Sequence, residues 1–163
     1  MQSRSARQTL EFGAALGKVL APGDFIGFVG ELGSGKTQFV RGVALGARVP
    51  QSEVASPSFA IIYPYAGRIP LYHADFYRLS DFDELYATGF TDLVGGDGAV
   101  LVEWLDRIPA AAPAQLLLLT FQFESTHQPN RRSIHAQAFG WRYVARLQNW
   151  ARELAHFRCK ILV

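Results

Sequence analysis

A glycine-rich stretch near the start of the chain has the spacing of a phosphate-binding loop. Residues 30–37 read GELGSGKT, and Gly30, Gly35, Lys36 and Thr37 satisfy the pattern G-x-x-x-x-G-K-[ST]. Glycines permit backbone angles that let successive N–H groups point inward at an anion. A lysine at this position reaches the β- and γ-phosphates of a nucleotide, and the next hydroxyl can bind Mg²⁺. The spacing therefore predicts nucleotide binding.

Two carboxylates are candidates to hold the metal ion and to align the attacking group. Glu103 ends the apolar run AVLVE, and Asp75 ends PLYHAD. Each is expected at the carboxyl end of a buried strand, where α/β sheets bind their ligands. Glu103 fits the Walker B pattern better, although the acid is Glu and not Asp. The alternative for both is a structural ion pair with Arg78 or Arg107, which lie close in sequence.

Other residues near these acids are assigned more ordinary roles. His73 alternates with Asp75 on the same predicted strand, and a structural role in the core is expected for it. Trp104 follows Glu103 directly and is also expected in the core. Residues 92–95 read DLVG, but they follow no apolar strand, and no N-K-x-D motif occurs in the chain, so GTP is not favoured.

The elements around the glycine loop are those that a phosphate-binding loop needs. The apolar run FIGFV, residues 25–29, predicts a short strand buried on both faces. TQFVRGVALG, residues 37–46, predicts the helix that follows the loop. Strand, loop and helix form the first unit of an α/β fold. An amphipathic helix over residues 9–20 precedes them.

Further apolar runs predict the rest of the sheet. FAIIYPY and IPLYHADF are predicted as a hairpin or as neighbouring strands, and AVLVEW as another buried strand. QLLLLTFQF and SIHAQAF are predicted as two more strands around a polar turn.

Two further helices are predicted after the first hairpin. The first covers SDFDELYATG, with Ser80 as its N-cap and Asp83 at the capping-box position. The second is basic and amphipathic, over residues 141–157. Its predicted inner face carries Val144, Leu147, Ala151 and Leu154.

Length, composition and charge limit the class of protein. The 163 residues, 49% of them hydrophobic, are expected to form one domain, with a core over about 7–140 and a basic helical extension over 141–163. The one cysteine, Cys159, excludes disulfide frameworks and favours a cytoplasmic location. No apolar run is long enough to cross a bilayer, so no membrane association is expected.

Basic residues are concentrated at the end of the chain. From position 125 onward there are seven Lys and Arg residues and one acid, Glu153. Such segregation predicts a basic face for nucleic acid or for an acidic partner, or simply a solvated helix face.

Four blocks of sequence, in this order, closely resemble the TsaE family of bacterial tRNA threonylcarbamoyladenosine biosynthesis. The blocks are GELGSGKTQFVRG, SPSF, YHADFYRLSDFDELYATG and LVEWLDR, and the resemblance runs from about Thr9 to Arg132. It implies a P-loop NTPase fold with a central, mostly parallel sheet, flanking helices and, in this chain, a C-terminal helix. It also implies a cytoplasmic Mg²⁺-dependent ATPase that is slow alone and works with threonylcarbamoyl-transferase complex proteins. These partners modify the adenosine next to the tRNA anticodon, and contact of this chain with tRNA would be weak or indirect.

The resemblance also assigns roles to residues of this chain. Lys36, Asp75 and Glu103 are expected to be catalytic, and Thr37, Glu103 and Asp75 to hold or arrange Mg²⁺. The residues expected to contact ATP are Thr9, Glu31, Leu32, Gly33, Ser34, Gly35, Lys36, Thr37, Ser58 and Arg131.

This chain departs from the family pattern at three places. Ser58 stands where Thr is usual, EWLDR lacks the proline usual after the tryptophan, and the segment from Trp141 onward matches no family pattern.

Two other functions stay open from the residues. One is a small-molecule kinase that uses the same loop, and the other is a nucleotide-gated RNA-binding module.

Overall fold

The structure is a computed structural model, and it describes residues 1–54, 61–124 and 131–155. The strands within these ranges are β1 Gln2–Ser3, β2 Phe25–Gly30, β3 Ile62–Ala66, β4 Pro70–Asp75, β5 Ala99–Glu103, β6 Leu116–Phe123 and β7 Arg132–Phe139. The α-helices are α1 Ala6–Val19, α2 Lys36–Gly46, α3 Phe82–Tyr86 and α4 Trp141–Ala155.

The strands form one mixed sheet in the order β1-β7-β6-β2-β5-β4-β3. The four central strands β6, β2, β5 and β4 are parallel, while β3, β7 and β1 pair antiparallel at the edges. The parallel strands end at one edge of the sheet, where Glu103 lies between Phe28 and Asp75 in the register. This α/β architecture confirms the predicted fold class, and it brings both candidate acids beside the glycine loop.

Strand β2 lies at the centre of the core, as its sequence predicts. Phe25, Ile26 and Phe28 are all buried, because helices cover one face of the sheet and the segments after β4 and β5 cover the other. The Phe28 ring packs against those of Phe39 and Phe121, with ring centres 5.8 and 6.3 Å apart. These contacts fix α2, and therefore the loop before it, on the end of β2.

Helices α1 and α2 approach each other through glycines. A Cβ added to Gly42 would lie 2.0 Å from the carbonyl oxygen of Leu10, and one on Gly46 would lie 2.0 Å from that of Ala14. Gly13 on α1 is equally close to the backbone of α2. Only residues without a Cβ permit this backbone contact, so the glycines set the position of α2.

Helix α4 belongs to the same core. The indole Nε1 of Trp150 donates to the carbonyl of Phe12 at 3.0 Å, and the Tyr143 hydroxyl accepts from the Phe25 N–H at 2.6 Å. Of the predicted face, Leu154 is buried and Leu147 packs against the core, but the placement of Val144 on it is wrong, because Val144 is 48% exposed. The buried face carries Tyr143, Trp150 and Leu154, since the polar ends of the two aromatic side chains find backbone partners inside.

Two of the basic residues of α4 face a buried acid. Asp24 is 1% exposed, and its carboxylate lies 2.8 Å from Arg146 and 3.2 Å from Arg142. The same carboxylate accepts from the N–H of Ala21 at 2.8 Å. Part of the predicted basic face is therefore neutralised within the fold.

Helix α3 begins one residue later than predicted. Its N-cap is Asp81, whose carboxylate accepts from the Glu84 N–H, and Glu84 in turn accepts from the Ser80 N–H, both at 2.9 Å. The prediction of Ser80 as the cap is wrong, because the Asp81 carboxylate caps the helix and the Ser80 N–H is bonded by the side chain of Glu84 instead. In the ranges that the structure describes, none of the helices combines the length and apolar character required to span a bilayer.

Candidate nucleotide-binding site

The loop between β2 and α2 has the backbone that its glycines predict. Gly30, Gly33 and Gly35 have φ angles of 139°, 77° and 103°, a region that side chains disfavour. A Cβ on Gly30 would lie 2.4 Å from the carbonyl oxygen of Phe121 on the neighbouring strand. The loop therefore turns sharply off β2 and delivers Gly35 as the N-cap of α2.

Lys36, the first residue of α2, is folded back over its own loop. Its ammonium donates to the carbonyls of Gly30 at 2.6 Å and Glu31 at 3.0 Å, and the side chain is only 4% exposed. Burial lowers the pKa of Lys36, while the nearby Glu103, Asp106 and Asp75 act in the opposite direction. The cation thus lies close to the space in front of the loop.

Thr37 and Glu103 form the contact that connects the loop to the sheet. The Thr37 hydroxyl donates to Oε2 of Glu103 at 2.8 Å. Glu103 is 2% exposed, and it reaches Thr37 because β5 ends directly beside β2. A hydroxyl and a carboxylate side by side are the oxygen ligands that Mg²⁺ prefers.

Asp75 lies at the end of β4, next to Glu103. Its Oδ1 accepts from the N–H of Tyr77 at 2.9 Å. Burial is the largest influence on its pKa, which is raised despite the Tyr77 hydrogen bond. Neither acid forms an ion pair with Arg78 or Arg107 in the described part of the chain, so the structural alternative raised from the sequence does not hold there.

These groups surround one cavity of about 230 Å³. Its lining consists of Leu32, Gly33, Gly35, Lys36, Thr37, Asp75, Tyr77, Glu103 and Trp104. All but Tyr77 and Trp104 were assigned to nucleotide, metal or catalysis from the sequence. The fold therefore collects most of the predicted site around a single space.

The loop has the chemistry to accept a phosphate and a magnesium ion. Ser34 is 1% exposed, and its hydroxyl has no hydrogen-bond partner among the described residues. Within those same ranges no group of three or more His, Cys, Asp or Glu side chains could hold a metal alone. Mg²⁺ suits such a site, since it is commonly held by one or two protein ligands together with substrate phosphates and water.

Among the described residues, four predicted nucleotide contacts do not line the cavity: Thr9, Glu31, Ser34 and Arg131. Thr9 is fully buried, and its hydroxyl is within hydrogen-bond distance of the Ser3 hydroxyl and the Ser5 carbonyl, at 2.7 and 3.2 Å. It does not line the cavity, so its contact with a nucleotide stays a prediction. Ser58 lies outside the described residues. Arg131 is exposed just before β7 and also does not line the cavity, so its role stays a prediction too.

Sequence reasoning gave no site role to two residues that the fold brings close. Arg132 is buried, and its guanidinium fills the space beside Gly35 where a Cβ would lie. His73 is buried with its Nε2 only 2.8 Å from Oε1 of Glu103. Strand alternation with Asp75 was the available signal for His73, but alternation alone does not identify the neighbour on the next strand.

Comparisons with known proteins find similar sequences and a similar solved structure. A family model described as "Threonylcarbamoyl adenosine biosynthesis protein TsaE" matches residues 3–134. Proteins named "tRNA threonylcarbamoyladenosine biosynthesis protein TsaE" are similar to this chain. The one from Treponema pallidum is 36% identical over 120 residues, which cover 74% of this chain and 88% of that protein. The one from Bacillus subtilis is 37% identical over 123 residues, covering 75% and 74%.

A solved structure agrees with these matches. The crystal structure of Bacillus subtilis YdiB aligns with a TM-score of 0.74 and 29% identity, over 93% of each chain. The fold, the glycine loop and the relatives lead to the same assignment. This chain belongs to the TsaE family, which is involved in tRNA threonylcarbamoyladenosine biosynthesis.

Proposed function

We propose that the chain is a Mg²⁺-dependent ATPase whose turnover supports threonylcarbamoylation of the adenosine next to the tRNA anticodon. A partner transferase complex carries out the group transfer itself. The observation that carries this proposal is the 2.8 Å contact of Thr37 with Glu103, in the cavity that Lys36 and Asp75 also line.

The glycine loop and Lys36 bind the triphosphate. Backbone N–H groups and the N-terminus of α2 attract the phosphate oxygens, because the helix end carries partial positive charge. The Lys36 ammonium balances the charge that develops on the γ-phosphate oxygens.

Thr37 and Glu103 would hold the magnesium ion. When bound, the ion neutralises phosphate charge and orients the γ-phosphate for attack. The two side chains are already in contact, so little reorganisation is needed to hold it.

Asp75 orients the attacking water. Its carboxylate lines the cavity beside Glu103, and its raised pKa makes it a better proton acceptor than an ordinary aspartate. The Tyr77 N–H holds one carboxylate oxygen in place, so the other can point at the water.

The position of Lys36 explains why turnover would be slow without partners. Its ammonium is held by two loop carbonyls and must leave them to reach the phosphates. A partner that favours the rearranged loop would increase the populated fraction of the competent state.

The test is phosphate release from ATP by this chain, with and without the candidate transferase proteins. Hydrolysis is expected only with Mg²⁺, with stimulation by the partners, and Lys36→Ala should abolish ATP binding or turnover. A strain depleted of this protein should lose threonylcarbamoyladenosine from its tRNA. Unchanged ATP affinity and turnover in Lys36→Ala would overturn the proposal. Phosphorylated metabolites without free phosphate would instead indicate a kinase.

A further inference from the structure

A line of hydrogen-bonding side chains leads from the glycine loop into the sheet. Thr37 contacts Oε2 of Glu103 at 2.8 Å, and His73 Nε2 contacts Oε1 of the same carboxylate at 2.8 Å. On the far side of the imidazole, the Tyr65 hydroxyl lies 3.4 Å from Nδ1. Oε2 of Glu103 thus faces Thr37, the other candidate Mg²⁺ ligand, while Oε1 is engaged by His73 on the neighbouring strand.

The donors in this line all point toward Glu103. A carboxylate only accepts hydrogen bonds, so Nε2 of His73 carries the hydrogen that faces it. Nδ1 can then accept from Tyr65, and burial raises the pKa of Tyr65 to about 12, which keeps the phenol proton in place. These two contacts together define one orientation of the imidazole ring.

Burial makes the contact of His73 with Glu103 strong. The two side chains are 1% and 2% exposed, and water does not compete for their hydrogen bond. They project from adjacent parallel strands, with Asp75 opposite Glu103 in the register and His73 two residues before Asp75. Glu103 has one more rotatable bond than the aspartate of a general Walker B strand, and the hydrogen bond from His73 restricts that added freedom.

We propose that His73 is a positioning residue that retains Oε1 of Glu103, so that only Oε2 is presented at the metal position, and that this favours Mg²⁺ over Ca²⁺. This inference rests on the proposed ATPase function. Mg²⁺ requires near-octahedral coordination, while Ca²⁺ accepts carboxylates that bind through both oxygens. A carboxylate whose second oxygen is held by a hydrogen bond cannot bind through both oxygens, so it is a poorer ligand for Ca²⁺.

Three variants test this role. His73→Gln keeps an N–H donor at the reach of Nε2, and His73→Asn keeps an amide that is too short to reach Glu103. Tyr65→Phe removes only the distant hydroxyl. The readout is binding of a non-hydrolysable ATP analogue by calorimetry, in EDTA and across titrations of Mg²⁺ and Ca²⁺, with thermal unfolding recorded in parallel.

The expected results separate positioning from folding. His73→Asn should weaken the apparent Mg²⁺ affinity by about 10- to 100-fold, the usual effect of losing a partner that holds a metal ligand. Its preference for Mg²⁺ over Ca²⁺ should fall, and its affinity for the analogue in EDTA should be unchanged. His73→Gln should restore most of the Mg²⁺ affinity, and Tyr65→Phe should lose at most a few-fold.

Two outcomes would overturn the inference. One is equal Mg²⁺ affinity in His73→Gln and His73→Asn, and the other is an unchanged preference between the two ions in His73→Asn. If the parent chain itself showed no Mg²⁺-dependent binding of the analogue, the proposed function would fail first, which is a distinct result.

Discussion

The ammonium of Lys36 lies 3.7 Å from the centre of the Trp104 ring. Tyr77 packs on the same indole at 5.0 Å between ring centres, and Trp104 has a φ of 60°, unusual for a large residue. The cation and the ring attract each other electrostatically, by about 0.5–2 kcal/mol in typical cases. Trp104 therefore stabilises Lys36 in its position over the loop carbonyls, and the function proposed above requires Lys36 to leave it.

This relationship predicts a fluorescence signal for nucleotide binding. Movement of the Lys36 charge away from the indole should change the emission of Trp104 during an ATP titration. Trp150 is buried on the inner face of α4, and Trp141 is 80% exposed at the start of that helix, so the emission of both should stay constant. The variant Trp104→Phe should bind ATP without the change in emission. A signal that persists in Trp104→Phe would show that Lys36 is not its source.

Asp75 predicts opposite effects on stability and turnover. Burial raises its pKa above the ordinary 3.8, so the native protein holds this proton to a higher pH than the unfolded chain. The free energy of unfolding therefore falls as the pH rises from 3.8 through the native pKa. In Mg²⁺-free buffer, Asp75→Asn should flatten this fall and unfold at the same or a higher temperature at pH 7.

The same variant should lose activity. Removal of the carboxylate that orients water should lower kcat by about 100-fold or more, when measured with the partner proteins. Asp75→Glu is the control that retains the charge. The prediction assumes that the buried Asp75 charge lowers stability at pH 7. A marked loss of thermal stability in Asp75→Asn at that pH would contradict it.

A substitution at the glycine contact between α1 and α2 should weaken ATP binding, although the contact lies away from the cavity. Gly42→Ala should destabilise the fold by about 1–3 kcal/mol, because the new Cβ meets the Leu10 carbonyl, and it should also weaken ATP binding by moving α2. Gly96→Ala, in a turn, is the control, since its Cβ would meet its nearest atom at 3.3 Å, a contact that a shift of a few tenths of an ångström relieves. Urea denaturation and calorimetry measure the two effects. Similar results for both variants would show that backbone freedom, and not the contact, is responsible.

The buried acid under α4 predicts a large loss of stability. Asp24→Ala leaves Arg142 and Arg146 without their carboxylate, and breaking a buried pair typically costs about 3–5 kcal/mol. Glu153→Ala is the control, because its ion pair with Lys18 is exposed and should be worth about 1 kcal/mol or less. Urea denaturation of both variants measures the difference. A cost for Asp24→Ala no larger than that of Glu153→Ala would refute the prediction.

The local geometry of the glycine loop was predictable from sequence because its constraint is local. Strand β2 and helix α2 each lie within one residue of their predicted bounds, since the glycines and the apolar runs fix them without distant partners. The pairing of Glu103 with Asp75 was less direct. Each strand end was predicted, but their direct opposition depends on strand order, which no single segment encodes.

The errors arose where several residues could serve the same purpose. Ser80 and Asp81 are both good caps, but the Asp81 carboxylate caps the helix and the Ser80 N–H is bonded by the side chain of Glu84. In α4, the aliphatic pattern pointed to Val144, but backbone partners on other elements select Tyr143 and Trp150 for burial. Hydrogen bonds between distant residues produce no periodic sequence pattern, so they could not be predicted from the helix alone.

Helix α4 contacts the first residue of β2, and the glycine loop follows the last residue of the same strand. One six-residue strand therefore connects α4 with the candidate nucleotide site. Ending the chain at Gly140 would remove the Trp150 contacts of Phe12 and Phe39 and would leave Asp24 without its arginine partners. No residue that lines the cavity would be removed. Any shortened version for laboratory use should run at least through Leu154.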